Sequence, residues 1–199
     1  MISWTLLGGR CRYCHTKISV QYPLVELTGA LLSLAIFWIY RDPAMYAYWM
    51  AVWMILLFVA VYDVRHKIIP WSCSGLLVFL ALVGLYTRIV PATWGSVVAG
   101  PVLALPLFLF FALSGGRWMG LGDSALELSL GWFLGMTLGL TAFMFAFWTG
   151  ALVGIVLMSM RRGVTMKSEV PFAPFLILGA LIAFTTHVDL FQTLPLFFQ

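Results

Sequence analysis

Long stretches without charge decide what this chain can fold into. Residues 43–62 and 68–87 each run for 20 positions without Asp, Glu, Lys or Arg, and residues 128–160 run for 33. About 20 residues, rising 1.5 Å each, cross a hydrocarbon core about 30 Å thick. Composition agrees: 63% of the 199 residues are hydrophobic and 9% are charged, against about 25% charged in an ordinary soluble domain. The expected fold class is therefore all-α, a polytopic membrane helix bundle of one domain. Nine Trp and seven Tyr suit the two interfaces, where amphipathic rings sit at headgroup level. Residues 1–21 hold no apolar core long enough for a cleavable signal peptide.

Seven apolar segments are expected, at roughly 23–40, 44–62, 72–88, 95–113, 124–138, 140–160 and 173–190. The 33 uncharged residues are too many for one span, so a break is placed near Thr137–Thr141, where Gly139 offers a turn. Seven crossings sort the basic loop residues unevenly. Arg10, Arg12, Lys17, Arg65, Lys67, Arg117, Arg161, Arg162 and Lys167 fall on the side of the N-terminus, and only Arg41 and Arg88 fall on the other. By the positive-inside rule the nine-residue side is cytoplasmic. The net charge of +4 is thus a matter of topology, and no nucleic-acid partner is expected. Pro101 and Pro106 predict a kink in the fourth segment. Glycines inside the runs, such as Gly100, Gly131 and Gly179, predict close helix packing.

Acids are few, so each can be weighed. Asp42 and Asp189 fall near outer helix ends and Glu169 in a basic loop, where solvated roles are expected. Glu26 opens the first helix and suits its dipole. Asp63 ends an apolar run, in Tyr62-Asp63-Val64-Arg65-His66-Lys67-Ile68-Ile69-Pro70. Asp123 ends the glycine-rich turn Gly120-Leu121-Gly122-Asp123 and opens another run. An acid at the mouth of a membrane helix is a functional candidate by default. Both fall on the cytoplasmic side. Two neighbouring carboxyls in a low-dielectric site share one proton, the aspartic-protease arrangement: one takes a proton from water while the other donates to the carbonyl oxygen. Gly120 and Gly122 let backbone approach an extended substrate. On position alone, two boundary charges facing water remain an equal alternative. Glu127, one turn after Asp123 on the same face, either tunes Asp123 or contacts substrate, or else serves the first-turn dipole. Ser124 has no histidine placed to activate it, and His66, between Arg65 and Lys67, reads as a solvated loop residue. Cys73 reads as a small apolar helix residue. Cys11-Arg12-Tyr13-Cys14 is half of a zinc knuckle, and structural zinc needs four ligands.

Taken together, these stretches resemble the prepilin peptidases, or type IV leader peptidases, of the GxGD group of membrane aspartic proteases. Gly9 to Cys14 leading to Tyr22-Pro23-Leu24-Val25-Glu26-Leu27-Thr28-Gly29 is similar to the end of that family's cytoplasmic domain and the helix after it. Asp63 through Ile69-Pro70 is similar to its first aspartate motif and Gly120 to Asp123 to its second. Val170-Pro171-Phe172-Ala173-Pro174-Phe175 is similar to the segment before its last helix. The chain departs from the family at Ala125, often a lysine there, at Trp71, usually asparagine, and in having one C-x-x-C pair where full-length members have two.

The resemblance implies residues 1–21 as a residual cytoplasmic segment and 22–199 as a membrane peptidase domain. It implies a bacterial inner-membrane endopeptidase that removes the basic leader of type IV prepilins or pseudopilins after a glycine on the cytoplasmic face, with Asp63 and Asp123 as catalytic residues. Proteolysis of this kind needs no cofactor. Zinc at Cys11 and Cys14 is not expected from one pair. S-adenosylmethionine, which many members use to methylate the new N-terminus, is not expected with that part of the family halved. The competing readings are an intramembrane protease of the presenilin or signal-peptide-peptidase type, a proton-coupled transporter, and an inactive relative.

Overall fold

The computed structural model describes residues 4, 7–117, 119–160 and 171–190. Among these the chain is helical, apart from an isolated antiparallel bridge between Arg10 and Lys17. The helices are α1 (Gln21–Ile39), α2 (Pro43–His66), α3 (Trp71–Tyr86), α4 (Trp94–Ser114), α5 (Leu121–Met160) and α6 (Ala173–Thr186). By length and composition α1, α2, α4 and α5 can cross a membrane. α3 and α6 have 16 and 14 residues, about 24 and 21 Å of helix.

Sequence chemistry accounts for the boundaries. The carboxylate of Asp42 accepts the N–H groups of Ala44 and Met45 at 3.0 and 2.9 Å, and Pro43 follows it as the first helical residue, so α2 starts there. Thr93 caps α4 by accepting the Ser96 N–H at 3.2 Å. Gly115, left-handed at φ 60°, ends it. α4 runs through both Pro101 and Pro106. Proline at 101 leaves the Val97 carbonyl without its usual helical donor. The indole N–H of Trp132 on α5 takes that place at 2.8 Å. Gly100 clears the way: a Cβ there would lie 2.6 Å from the indole nitrogen.

The last long run, expected as two segments, is a 40-residue element that joins two helical arms across a break. The break is at Gly135, φ 77° and ψ −176°, not near Gly139. That conformation is open to glycine almost alone. Its effect is large. A Cβ on Gly139 would lie 3.6 Å from the Cα of Gly131, whereas eight residues of straight helix would hold the two about 12 Å apart. The chain therefore doubles back at Gly135.

The chain divides into two compact units, Met1–Leu57 and Phe58–Gln199. In the first, Gly29 of α1 faces Met54 and Leu57, Ser33 and Tyr46 share a hydrogen bond at 2.8 Å, and Tyr40 stacks on Trp49 at 5.8 Å. In the second, α5 is the hub and packs on α3, α4 and α6. α4 and α5 cross closely enough that a Cβ on Gly131 would sit 2.8 Å from the Cα of Gly100. Gly179 of α6 lies directly against the Ala142 carbonyl. Leu105, Phe108 and Leu113 of α4 and Leu152 and Ile155 of α5 point outward, as lipid-facing spans require.

Some sequence expectations need correction. Glu26 lies five residues into α1, which begins at Gln21, so it is not a first-turn acid. Asp189 is buried rather than solvated. Arg161, Arg162, Lys167, Glu169 and Val170 lie outside the described residues.

Candidate active site

Asp63 lies in the last turn of α2. Its carbonyl accepts the N–H of Lys67 at 2.7 Å, and Lys67, left-handed at φ 54°, closes the helix. Arg65 and His66 also fall in that turn, where cations suit the helix dipole. His66 is helical but exposed, stacked on Tyr62 at 4.2 Å. Beyond the turn, Ile68 is exposed and Ile69 is buried, and Pro70 in extended conformation starts α3.

Asp123 is held by a local motif. Gly120 precedes the first residue of α5, and the Asp123 carboxyl accepts the Gly120 N–H at 3.2 Å while the Asp123 N–H donates to the Gly120 carbonyl at 3.2 Å. This is the acid half of a capping box, an N3 side chain reaching back to the N-cap. It fixes one carboxyl oxygen. A Cβ on Gly120 would approach that oxygen to 3.4 Å, so glycine keeps the carboxyl open.

The two aspartate segments meet. A Cβ on Gly122 would lie 2.9 Å from the Cβ of Ile69, so the connection after Asp63 packs on the turn before Asp123. The ends of α2 and α5 that carry the acids are thereby at the same place. Both aspartates are buried, at 4% and 9% exposure, and Asp63 is near enough for its charge to act on Asp123.

A third element joins them. The Asp63 carboxyl takes a hydrogen bond from the backbone N–H of Ala173, at the start of α6. Phe172, just before it, packs on Phe147 with ring centroids 5.1 Å apart, and Gly150 faces Phe172 and Phe175. The far arm of α5 therefore seats the N-terminus of α6 beside Asp63. Sequence reasoning noticed the Pro171–Phe175 segment but not that its backbone serves Asp63. The signal available was Pro174 in the first turn of α6, which marks a helix start.

Glu127 is the seventh residue of α5, beyond the first turn, where Asp123 is the acid. The dipole reading of Glu127 therefore fails. It is 2% exposed, and among the described residues its Oε1 has no hydrogen-bond partner, nor have Oδ2 of Asp63 and Oγ of Ser74. The Ser124 hydroxyl donates to the Leu121 carbonyl at 2.8 Å. An apolar groove of about 350 Å³ lined by Trp71, Phe108, Leu121, Ala125 and Leu128 lies on another face of α5, and none of the three acids lines it.

The Cys11–Cys14 turn belongs to the first unit. Cys14 Sγ lies 3.0 Å from Thr16 Oγ1. That hydrogen bond, foremost, draws the exposed Cys14 thiol down to about 7. Zinc needs four ligands. This turn offers two thiols, and no group of three potential ligands occurs among the described residues.

Residues 49–155 match the type IV leader peptidase family. The chain belongs to that family. Residues 1–40 match the bacterial peptidase A24 N-terminal domain, so both matches together take in most of this family member. It is similar to the prepilin leader peptidase/N-methyltransferase of Stutzerimonas stutzeri, 33% identical over 193 residues, which cover 92% of this chain and 64% of the relative. The enzyme of the same name from Xanthomonas campestris pv. campestris is 32% identical over 196 residues, 96% of this chain and 67% of the relative. That of Pseudomonas aeruginosa is 29% identical over 192 residues, with 92% and 64% covered. The chain thus spans about two thirds of the length of the curated relatives it matches. No solved structure matches it.

Proposed function

We propose that this chain is a membrane aspartic endopeptidase that cuts the basic leader from type IV prepilins or pseudopilins, after a glycine, at the cytoplasmic face of the bacterial inner membrane. The observation that carries the reading is the contact of Ile69 with Gly122, which assembles two buried aspartates from distant parts of the chain. Family membership supplies the reaction class, and the names of the relatives supply the substrate class. The nine-to-two distribution of basic loop residues supports the cytoplasmic face.

In the reaction, Asp63 and Asp123 hold one proton between them. The ionised carboxyl takes a proton from water as the water oxygen attacks the scissile carbonyl carbon. The protonated one gives its proton to the carbonyl oxygen. Collapse of the diol returns that proton, and the first passes to the leaving nitrogen as the C–N bond breaks. The Gly120 and Ala173 N–H groups orient the two carboxyls, so little reorganisation is left for the reaction itself. The cysteine turn does not fit a zinc ion by itself, and no step runs through it.

The test measures leader cleavage by Asp63→Asn and Asp123→Asn separately, each in the full chain in membranes. Loss of cleavage in both variants is expected, and normal processing by either one sinks the dyad. A substrate panel separates the presenilin-like reading, which requires cuts inside transmembrane segments rather than at the leader junction.

A further inference from the structure

Charge at the aspartyl end of the second unit is one-sided. Lys67 stands two residues before Ile69 and Arg117 five before Gly122. At no more than about 3.6 Å per residue, both are held near the contact between Ile69 and Gly122. Arg65 shares the last turn of α2 with Asp63. All three cations are exposed. The acids of this unit among the described residues are Asp63, Asp123, Glu127 and Asp189, and each is buried. No described surface carboxylate of the unit therefore balances Arg65, Lys67 and Arg117. Apolar side chains stand exposed among these cations, namely Val64, Ile68 and Trp71. Open water disfavours that mixture, whereas the boundary between headgroups and hydrocarbon suits it. The position agrees, since α2, α4 and α5, which can cross a membrane, all begin or end here. The Nε–H of Arg117 donates to the Ser114 carbonyl at 3.3 Å, which steadies the planar fork and leaves its other donors for a second acceptor.

The proposed substrate turns this one-sidedness into a conflict. A basic leader approaching the dyad meets like charges, and the repulsion falls on the step that docks it. Lipid phosphates remove the conflict. A guanidinium matches a phosphate with paired hydrogen bonds and an ammonium attracts it as a point charge. Anionic lipids gather where basic residues flank a membrane span. We propose that Arg65, Lys67 and Arg117 form a headgroup site for anionic phospholipids, and that the phosphates held there are the counter-ions under which a basic leader reaches Asp63 and Asp123. No covalent bond changes in this binding. The role toward the leader deepens the proposed function and rests on it, while lipid binding by the three cations stands without it.

The experiment places the full chain in vesicles of phosphatidylcholine, alone or with one third phosphatidylglycerol, and compares the parent with the triple variant Arg65→Gln, Lys67→Gln, Arg117→Gln. Native mass spectrometry after detergent extraction counts the retained phosphatidylglycerol, and cleavage of a basic leader peptide gives kcat and KM. The parent should retain phosphatidylglycerol in excess over phosphatidylcholine, and the triple variant should lose that excess. In phosphatidylcholine alone the triple variant should show a KM about fivefold below the parent's, with kcat unchanged, because the repulsion is gone. Phosphatidylglycerol should close the gap. The general attraction of a basic peptide to an anionic surface acts on both proteins and cancels in their ratio. A peptide with a neutral leader should show no gap in either vesicle. Equal lipid retention by the two proteins overturns the proposal. So does a higher KM for the triple variant in phosphatidylcholine, which would mean that the cations hold an acid of the substrate. Inorganic phosphate that closes the gap as well as the lipid does, at equal ionic strength, overturns it in favour of a soluble anion. Should the triple variant fail to insert, Lys67→Gln and Arg117→Gln singly, each expected to lose part of the lipid excess, decide in its place. Absence of leader cleavage by the parent in every vesicle would sink the proposed function and still leave lipid retention to be read.

Discussion

Ile69 occupies the space a side chain on Gly122 would need: the Cβ of Ile69 is 2.9 Å from where a Cβ on Gly122 would be, and its Cδ1 is 3.3 Å away. The second glycine of the GLGD turn is therefore a contact between the loop after α2 and the first turn of α5 more than a hinge. Ile69 is buried at 7% exposure while Ile68 beside it stands at 64%, so the chain chooses which isoleucine to press into the turn. Whatever moves Ile69 moves Asp63 relative to Asp123.

From this contact, Gly122→Ala should lower leader cleavage by about two orders of magnitude, since a misplacement near 1 Å costs about that much. Replacing Ile69 by alanine keeps the offending Cβ and should not help. The double variant Gly122→Ala with Ile69→Gly removes it and should recover part of the rate. Steady-state kinetics on the three variants test this, and a double variant no better than Gly122→Ala alone would show that the contact is not the cause.

A second prediction concerns Pro101 and Trp132. Because the Trp132 indole donates to the carbonyl that proline left without a helical donor, Trp132→Phe should destabilise the fold by about 1 kcal/mol, the net worth of a typical hydrogen bond. Pro101→Ala returns the backbone N–H to Val97. In that background the same Trp132→Phe change should cost less. Thermal unfolding of the four proteins forms a double-mutant cycle, and equal costs in both backgrounds would contradict the exchange of donors.

Much of this architecture was legible because charge is so expensive in lipid. The runs around Asp63 and Asp123 named both acids, and the glycines before Asp123 marked the turn. What could not be read was anything depending on three dimensions. The site of the doubling-back is one example: Gly131, Gly135 and Gly139 are equivalent in sequence, and only the packing of Gly131 on Gly100 and of Gly139 on Leu103 leaves Gly135 to take the turn. Ala173 is another, because a backbone N–H has no sequence signature. Glu127 is a third. Its spacing from Asp123 was evident, but spacing alone does not distinguish a solvated first-turn acid from one sealed in the core.

Gly135 gives the third prediction. Its φ of 77° with ψ of −176° lies where a Cβ is strongly disfavoured, at about 1–3 kcal/mol. Gly135→Ala should lower the unfolding temperature by an amount matching that penalty. Gly154 is helical in the same element, and a Cβ there meets nothing within 4 Å. Gly154→Ala should be neutral or slightly stabilising, because alanine is the better helix former. Parallel thermal melts in one detergent make the comparison, and similar losses in both would mean that the backbone at 135 is not strained.

The last prediction concerns Cys14, outside the helical segments. Its thiol is drawn down to about 7 from the ordinary 9.0, chiefly by the Thr16 hydroxyl 3.0 Å away and then by the Thr16 backbone. The sign follows directly: hydrogen bonds to sulfur favour the thiolate, so the reactive form is populated from lower pH upward. Alkylation of Cys14 should therefore rise to half its maximum near pH 7, with Cys73, in the first turn of α3, as the internal comparison. Thr16→Val removes the leading hydrogen bond and should move the half-point toward the ordinary thiol range without changing the plateau rate much. Mass-spectrometric labelling at a series of pH values reads both residues at once. A Thr16→Val profile that overlays the parent would assign the reactivity of Cys14 to something other than this hydroxyl.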